Sequence, residues 1–274
     1  MKIAIQGFEG CFHQVAAQSY FGKHIETENC ASFAELVKKV KAQPDVDAGI
    51  MAIENSIAGS ILPNYSLIKN SGLHVIGEIY LQINQHLMVL PGQTMDDIRE
   101  VHSHPMALLQ CMDFLEKYPH IKLVETEDTA LSAKHVRHKK LKSTAAIAGS
   151  LAAEIFELDI IAPNIHTNKN NYTRFLAVSK KPVETAPDAN KASVYFQTSH
   201  ERGSLANVLS RIAEAGINLS KLQSFPIPAK VWNYYFHADM EFDNLVDFQQ
   251  ALKEIEQHTE HLKVLGIYKK GKTL

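Results

Sequence analysis

The 274-residue sequence predicts an α/β protein whose last third follows a separate βαββαβ plan. Three observations carry this. Over the first 180 residues short apolar runs alternate with stretches of helical spacing, the pattern of strands joined by helices in largely parallel sheets. Lys180–Asn190 (KKPVETAPDAN) carries two prolines, small and polar residues and no apolar period, so it reads as a linker. Beyond it the order of elements changes.

In chain order, Lys2–Gln6 reads as a buried strand and Gly7–Gly10 as the turn after it. Helical spacing then puts Phe12, Val15, Ala16 and Tyr20 on one side. A helix over Phe33–Val40 precedes a strand at Ala48–Ile53, and Leu73–Leu90 is a long β-rich stretch. A helix over Pro105–Lys117, a strand at Ile121–Val124 and a helix from Asp128 follow. Ala145–Ala148 is a short strand leading into a helix through Phe156, and Phe175–Val178 closes the region. After the linker, Ser193–Gln197, Leu219–Ser224, Trp232–Met240 and Leu262–Ile267 read as strands, with helices over Gly203–Ala215 and Leu245–Gln257. This is a ferredoxin-like plan. With both helices on one face of its sheet, the other face or an edge is open to pairing, so a homo-oligomer is expected.

Composition narrows the function classes. Hydrophobic content of 45% and charged content of 21% are those of a globular chain with a real core. A net charge of −2 without a polybasic face argues against nucleic acid. The one basic cluster, Lys134–Lys142, reads as a solvated helix end. No apolar run reaches the roughly 20 residues that span a bilayer, so no membrane partner is expected. Cys11, Cys30 and Cys111 form no C-x-x-C pair, which fits a reducing, cytoplasmic setting.

No G-x-G-x-x-G and no P-loop is present, so no nucleotide cofactor is indicated. His135 with His138, and His258 with His261, stand three apart without the spacing of a metal site, and no metal is expected. Three polar clusters remain: Glu54-Asn55-Ser56 at a strand end, Ser103-His104-Pro105 opening a helix, and Asn171-Tyr172-Thr173-Arg174-Phe175 at a strand start. Strand ends and helix starts are where α/β folds bind ligands. Amides, hydroxyls and one arginine form a set suited to carboxylates. Taken one at a time, the same residues also read as helix caps or a surface ion pair.

Together these clusters resemble the prephenate dehydratase family. Its E-N-S-x-x-G signature stands at Glu54–Gly59 and its S-H-P-x-A-L-x-Q-C signature at Ser103–Cys111. D-T-A-x-S-A stands at Asp128–Ala133, A-A-I-A at Ala145–Ala148 and N-x-T-R-F at Asn171–Phe175. Gly7–Ala17 is similar to the family's N-terminal glycine turn and helix. After the linker the chain resembles an ACT domain, with two departures. Gly203-Ser204-Leu205-Ala206 stands for the usual G-A-L-x, and Gln223-Ser224-Phe225-Pro226 for E-S-R-P.

The resemblance implies a two-lobed catalytic region over 1–180, similar to type-2 periplasmic binding proteins, followed by an ACT regulatory domain over 191–270. One lobe would hold about 1–78 and 166–180, the other about 79–165. It implies a monofunctional lyase that converts prephenate to phenylpyruvate for phenylalanine biosynthesis, without a cofactor. Phenylalanine would be its effector, and the assembly a homodimer or homotetramer. Thr173 would be the catalytic donor. Asn55, Ser56, Ser103, His104, Asn171, Arg174 and Phe175 would bind substrate. Gly203, Ser204, Leu205, Ala206, Asn218, Leu219, Gln223 and Ser224 would form the allosteric site. The rivals are arogenate dehydratase, a non-catalytic amino-acid sensor and, with no ligand pattern behind it, a metal-dependent lyase.

Overall fold

The structure is a computed structural model that describes residues 1–227 and 232–274. It divides into two compact units, the first holding 1–61, 80–175 and 273–274, the second 62–79 and 176–272. The second unit thus starts a few residues before the linker and also takes 62–79, which the sequence reading gave to the first region.

The first sheet begins with β1 (Lys2–Gln6), α1 (Phe12–Phe21), β2 (Glu26–Cys30), α2 (Phe33–Ala42), β3 (Ala48–Asn55) and the two-residue β4 (Gly59–Ser60). Ile3, Ala4 and Ile5 are fully buried, as expected of a strand covered on both faces. β1 pairs in parallel with β2 and β3. α2 forms where it does because Ser32 caps it, accepting from Glu35 N–H at 3.2 Å, while Glu35 takes Ala31 N–H at 2.8 Å. α3 (Leu62–Ser71) and β5 (His74–Gln82) follow, and the sheet order is β2-β1-β3-β11-β5, with β11 at Tyr172–Ser179.

The second sheet is built from β6 (His86–Val89), β7 (Glu100–Ser103), β8 (Lys122–Glu125), β9 (Thr144–Ala148) and β10 (Asp159–Ala162). Its helices are α4 (Pro105–Gln110), α5 (Met112–Leu115), α6 (Thr129–His138) and α7 (Ser150–Ile155). The order is β10-β6-β9-β7-β8. β7 runs parallel to β8 and β9, whereas β6 is antiparallel to β9 and β10. The sheet is therefore mixed, not largely parallel as expected. The helix expected over 105–117 is broken at Cys111 into α4 and α5. β2, β4, β7, β10 and α3 were not read from the sequence.

The second unit contains β12 (Lys191–Gln197), α8 (Ser204–Glu214), β13 (Asn218–Pro226), β14 (Tyr234–Glu241), α9 (Leu245–Glu256) and β15 (His261–Tyr268). The order β13-β14-β12-β15 is antiparallel throughout, the ferredoxin-like arrangement expected. One face carries Val194, Phe196 and Met240 against Val208, Ile212 and Phe248 of the two helices.

The opposite face is not open, contrary to the sequence reading. Within this unit α3 and the start of β5 cover it. The Tyr65 ring stands 4.7 Å from the His237 ring, and Lys69 Nζ lies 4.0 Å over the Tyr235 ring. Beneath them Lys191 Nζ pairs with Glu78 Oε1 at 3.0 Å, both side chains at most 1% exposed. Ser193 Oγ donates to Asp239 Oδ1 at 2.6 Å. A Cβ at Gly266 would lie 1.8 Å from the Val75 carbonyl oxygen, so only glycine permits this approach. β13 and β15 are the edge strands of this sheet.

Candidate active site

Within the first unit a cavity of about 300 Å³ is lined from both of its sheets. Asn55 at the end of β3, His104 before α4, and Thr173 and Phe175 on β11 all face it. So do three groups the sequence reading did not assign to the site: His13 of α1, Gln110 of α4 and Asp128 before α6. The starts of α1, α4 and α6 meet there, bringing the positive ends of helix dipoles to one place.

The amides form a directed chain. Asn55 Oδ1 accepts from the Ile57 and Ala58 N–H groups at 3.0 and 2.9 Å, which fixes its orientation. Its Nδ2 therefore donates, to Asn171 Oδ1 at 2.8 Å, the Tyr172 carbonyl at 3.2 Å and Thr173 Oγ1 at 3.0 Å. Asn171, fully buried, passes its own Nδ2 to Gln110 Oε1 at 3.0 Å. A hydroxyl oxygen that accepts from Asn55 directs its single proton elsewhere. Thr173 is 8% exposed, and its exposed part faces the cavity.

Burial disfavours the charged form of three groups here. Burial pushes the Cys11 thiol up to about 12, so it is not a thiolate nucleophile. Burial lowers His13 to about 4, and its Nε2 accepts from the Ala52 N–H at 3.3 Å. Asp128 caps α6 by accepting from Leu131 N–H at 2.9 Å, and burial raises its carboxyl above the ordinary range. Gly7, with φ of +108°, lets the chain pass here: a Cβ would stand 3.3 Å from Asp128 Oδ2 and 3.2 Å from Cys11 Sγ. His104 Nδ1 accepts from Met106 N–H at 3.2 Å, leaving the Nε2 edge of the ring as a donor. Among the described residues neither lysine nor arginine lines the cavity.

Four residues expected to bind substrate, Ser56, Ser103, Asn171 and Arg174, are not among those that line it. Ser103 is fully buried and donates to the Ile147 carbonyl at 2.6 Å, clipping β7 to β9. Ser56 donates to the Asn170 carbonyl and accepts from Tyr172 N–H, both at 2.9 Å, so it fastens its loop to β11. Arg174 follows Thr173 on a strand, and alternation turns it to the opposite face, where its guanidinium carbon stands 6.0 Å from the Tyr80 ring centroid. Its expected grip on a substrate carboxylate is corrected accordingly. Asn171 acts from behind, through Asn55 and Gln110. Phe175 both lines the cavity and is core, 1% exposed.

In the second unit Ser204 and Leu205 line a separate hollow of about 320 Å³ with Thr198–Arg202 and Tyr234. Gly203 takes a left-handed conformation (φ +85°) to start α8 there, and Ala206 is exposed on the helix. Asn218, Leu219, Gln223 and Ser224 lie along the edge strand β13 and do not line this hollow. Among the described residues no cluster of three His, Cys, Asp or Glu could hold a metal ion, and no helix is long and apolar enough to cross a membrane.

Comparison with known proteins assigns the family. The prephenate dehydratase family model matches residues 3–183. The arogenate dehydratase/prephenate dehydratase 2 of Arabidopsis thaliana is 33% identical over 281 residues, covering 98% of this chain and 72% of that protein. A prephenate dehydratase from Arthrobacter aurescens, solved with L-Phe, superposes with a TM-score of 0.87 at 25% identity, covering 98% of this chain and 90% of that one. GqqA, described as a novel type of quorum quenching acylase, superposes with a TM-score of 0.89 at 28% identity over 98% of both chains. With a family model over most of the chain and the family's signatures meeting at one cavity, the chain belongs to the prephenate dehydratase family.

Proposed function

We propose that this enzyme converts prephenate to phenylpyruvate, carbon dioxide and water at the cavity of the first unit. The C1–carboxylate bond breaks, its electron pair enters the ring, and the C4–oxygen bond breaks as the ring becomes aromatic. The departing hydroxide takes up a proton and leaves as water. Aromatisation drives the step, so the protein has to position the substrate and assist the leaving oxygen.

Thr173 is the donor at that oxygen. The observation that carries this is the 3.0 Å bond from Asn55 Nδ2 to Thr173 Oγ1, which occupies the oxygen and frees the proton for the substrate. A threonine hydroxyl is a weak acid, so it acts by hydrogen bonding in the transition state, with water supplying the net proton. One such bond is typically worth a factor of about 10²–10³ in rate. The carboxylates are met by neutral donors and helix ends, with Asn171 and Gln110 holding Asn55 in place. Arg174, beneath the strand, is a positioning residue.

We further propose that 1–180 acts as the catalytic region and 191–270 as an ACT regulatory domain in a cytoplasmic homo-oligomer. Phenylalanine is the proposed effector, binding at the α8 start formed by Gly203–Ala206. The phenylalanine bound to the Arthrobacter relative supports this reading. Turnover of prephenate, followed by phenylpyruvate absorbance in base, tests the activity. Arogenate turned over in preference to prephenate would reassign the substrate. Unchanged activity up to millimolar phenylalanine would remove the effector.

A further inference from the structure

We propose that the Nδ1–H of His13 is a hydrogen-bond donor to the side-chain (pyruvyl) carboxylate of the substrate. This rests on the dehydratase reading above and adds a residue to that site.

His13 lies in the first turn of α1, and its ring lines the cavity. Its Nε2 accepts from the Ala52 backbone N–H at 3.3 Å. A ring nitrogen that accepts carries no proton, so the neutral imidazole holds its proton on Nδ1. Among the described residues no group takes that proton. The ring is also fixed in place, edge-on to Phe175 at 5.0 Å and tilted against Phe33 at 5.4 Å. Phe175 is two residues from Thr173 on the same side of β11, so His13 sits beside the proposed reaction donor.

Two neighbouring amide donors are committed. Asn55 Nδ2 serves Asn171, Tyr172 and Thr173, and Asn171 Nδ2 serves Gln110. The Thr173 proton is assigned to the leaving oxygen. Among the described residues no lysine or arginine lines the cavity, so an anion there is met by neutral donors, of which this N–H is held in one direction beside Thr173. The burial that lowers His13 to about 4 keeps it in that form at physiological pH. Of the two carboxylates, the one lost as carbon dioxide must not be held too well, because donors that favour its charge oppose its departure. A fixed donor therefore belongs on the pyruvyl carboxylate, which survives in the product.

The two ring nitrogens can be separated by amide substitution, since Asn places its NH2 near Nδ1 and Gln reaches the Nε2 position. His13→Asn keeps the donor and loses the contact to Ala52; His13→Gln does the reverse. A hydrogen bond to a charged group predicts that His13→Gln raises KM for prephenate about 10- to 100-fold, with kcat little changed. His13→Asn should stay within about threefold of the parent KM. A purely structural histidine gives the opposite order, with His13→Gln the better enzyme, and that result overturns the proposal, as does equal loss in both. Should neither variant fold, ¹⁵N-resolved NMR of the parent protein decides the matter. The His13 Nδ1 proton must shift when phenylpyruvate saturates the cavity, and an unmoved signal overturns the assignment. Prephenate turnover by the parent protein separately tests the dehydratase reading, so the two can fail independently.

Discussion

In the first unit Thr173, His13 and His104 each use one hydrogen-bonding site within the protein, keep another, and line a cavity. In the second unit Lys191, Glu78, Ser193 and Asp239 are buried as deeply, but they are joined to one another under α3. The first arrangement keeps hydrogen-bonding capacity in reserve. The second uses its capacity internally and is charged. A buried group with a free, oriented proton is a means of recognising a ligand; a buried ion pair closed on itself can only hold structure or register.

That comparison breaks most readily at the ion pair. Glu78→Gln removes the fully buried partner of Lys191 and leaves it Glu241 Oε1 at 3.4 Å, so stability should fall by up to about 3–5 kcal/mol, measured by denaturant unfolding. The double variant Glu78→Leu with Lys191→Met should recover most of the loss. If Glu78→Gln left the midpoint unchanged, the pair would not be the anchor described here. The next effect falls on catalysis. Thr173→Ala should reduce kcat by about 10²–10³-fold at nearly constant KM and unchanged melting temperature, and near-parental turnover would remove Thr173 from its role.

Smaller effects sharpen the contrast. Ser103→Ala removes the bond to the Ile147 carbonyl, so about 1 kcal/mol of stability should be lost, with kcat retained; a large kcat loss would return Ser103 to the substrate. Asp128→Asn keeps a good helix cap while removing a carboxyl that burial holds above its usual pKa. The folded state favours the protonated acid, so Asp128 supports stability at acid pH and loses that support as pH rises through its folded pKa. The variant should therefore gain stability relative to the parent at pH 7, and the gain should vanish below the unfolded carboxylate range near pH 4. Melting curves across pH would show it.

Much of this site was legible before the structure. The signatures at Glu54–Gly59 and Asn171–Phe175 named Asn55, Asn171 and Thr173, which the fold joins by direct hydrogen bonds. Arg174 shows how a motif misleads: consecutive residues of a strand cannot face the same way, so Thr173 in the cavity already turned Arg174 out of it. Ser103 looked like a ligand group because its motif opens a helix, yet its partner lies 44 residues away on β9. His13 gave no signal, since the proton on Nδ1 depends on an amide 39 residues distant. α3 escaped because its buried side includes Asn64 and Ser71, and its partners are the polar side of a sheet more than a hundred residues later.

The 62–79 segment also bears on how the protein unfolds. Its first half supplies the cover for a sheet made by the last third of the chain, and at Gly266 the fit tolerates no added carbon. A chain cut in the linker after Ser179 would leave Tyr65, Ile68 and Leu73 stripped of their counterpart and bare to water. The C-terminal piece, released alone, would expose Lys191 and Asp239 beside apolar rings. Proteolytic nicking there should yield two fragments that stay together until denatured, and separately expressed halves should prove insoluble while co-expressed ones do not.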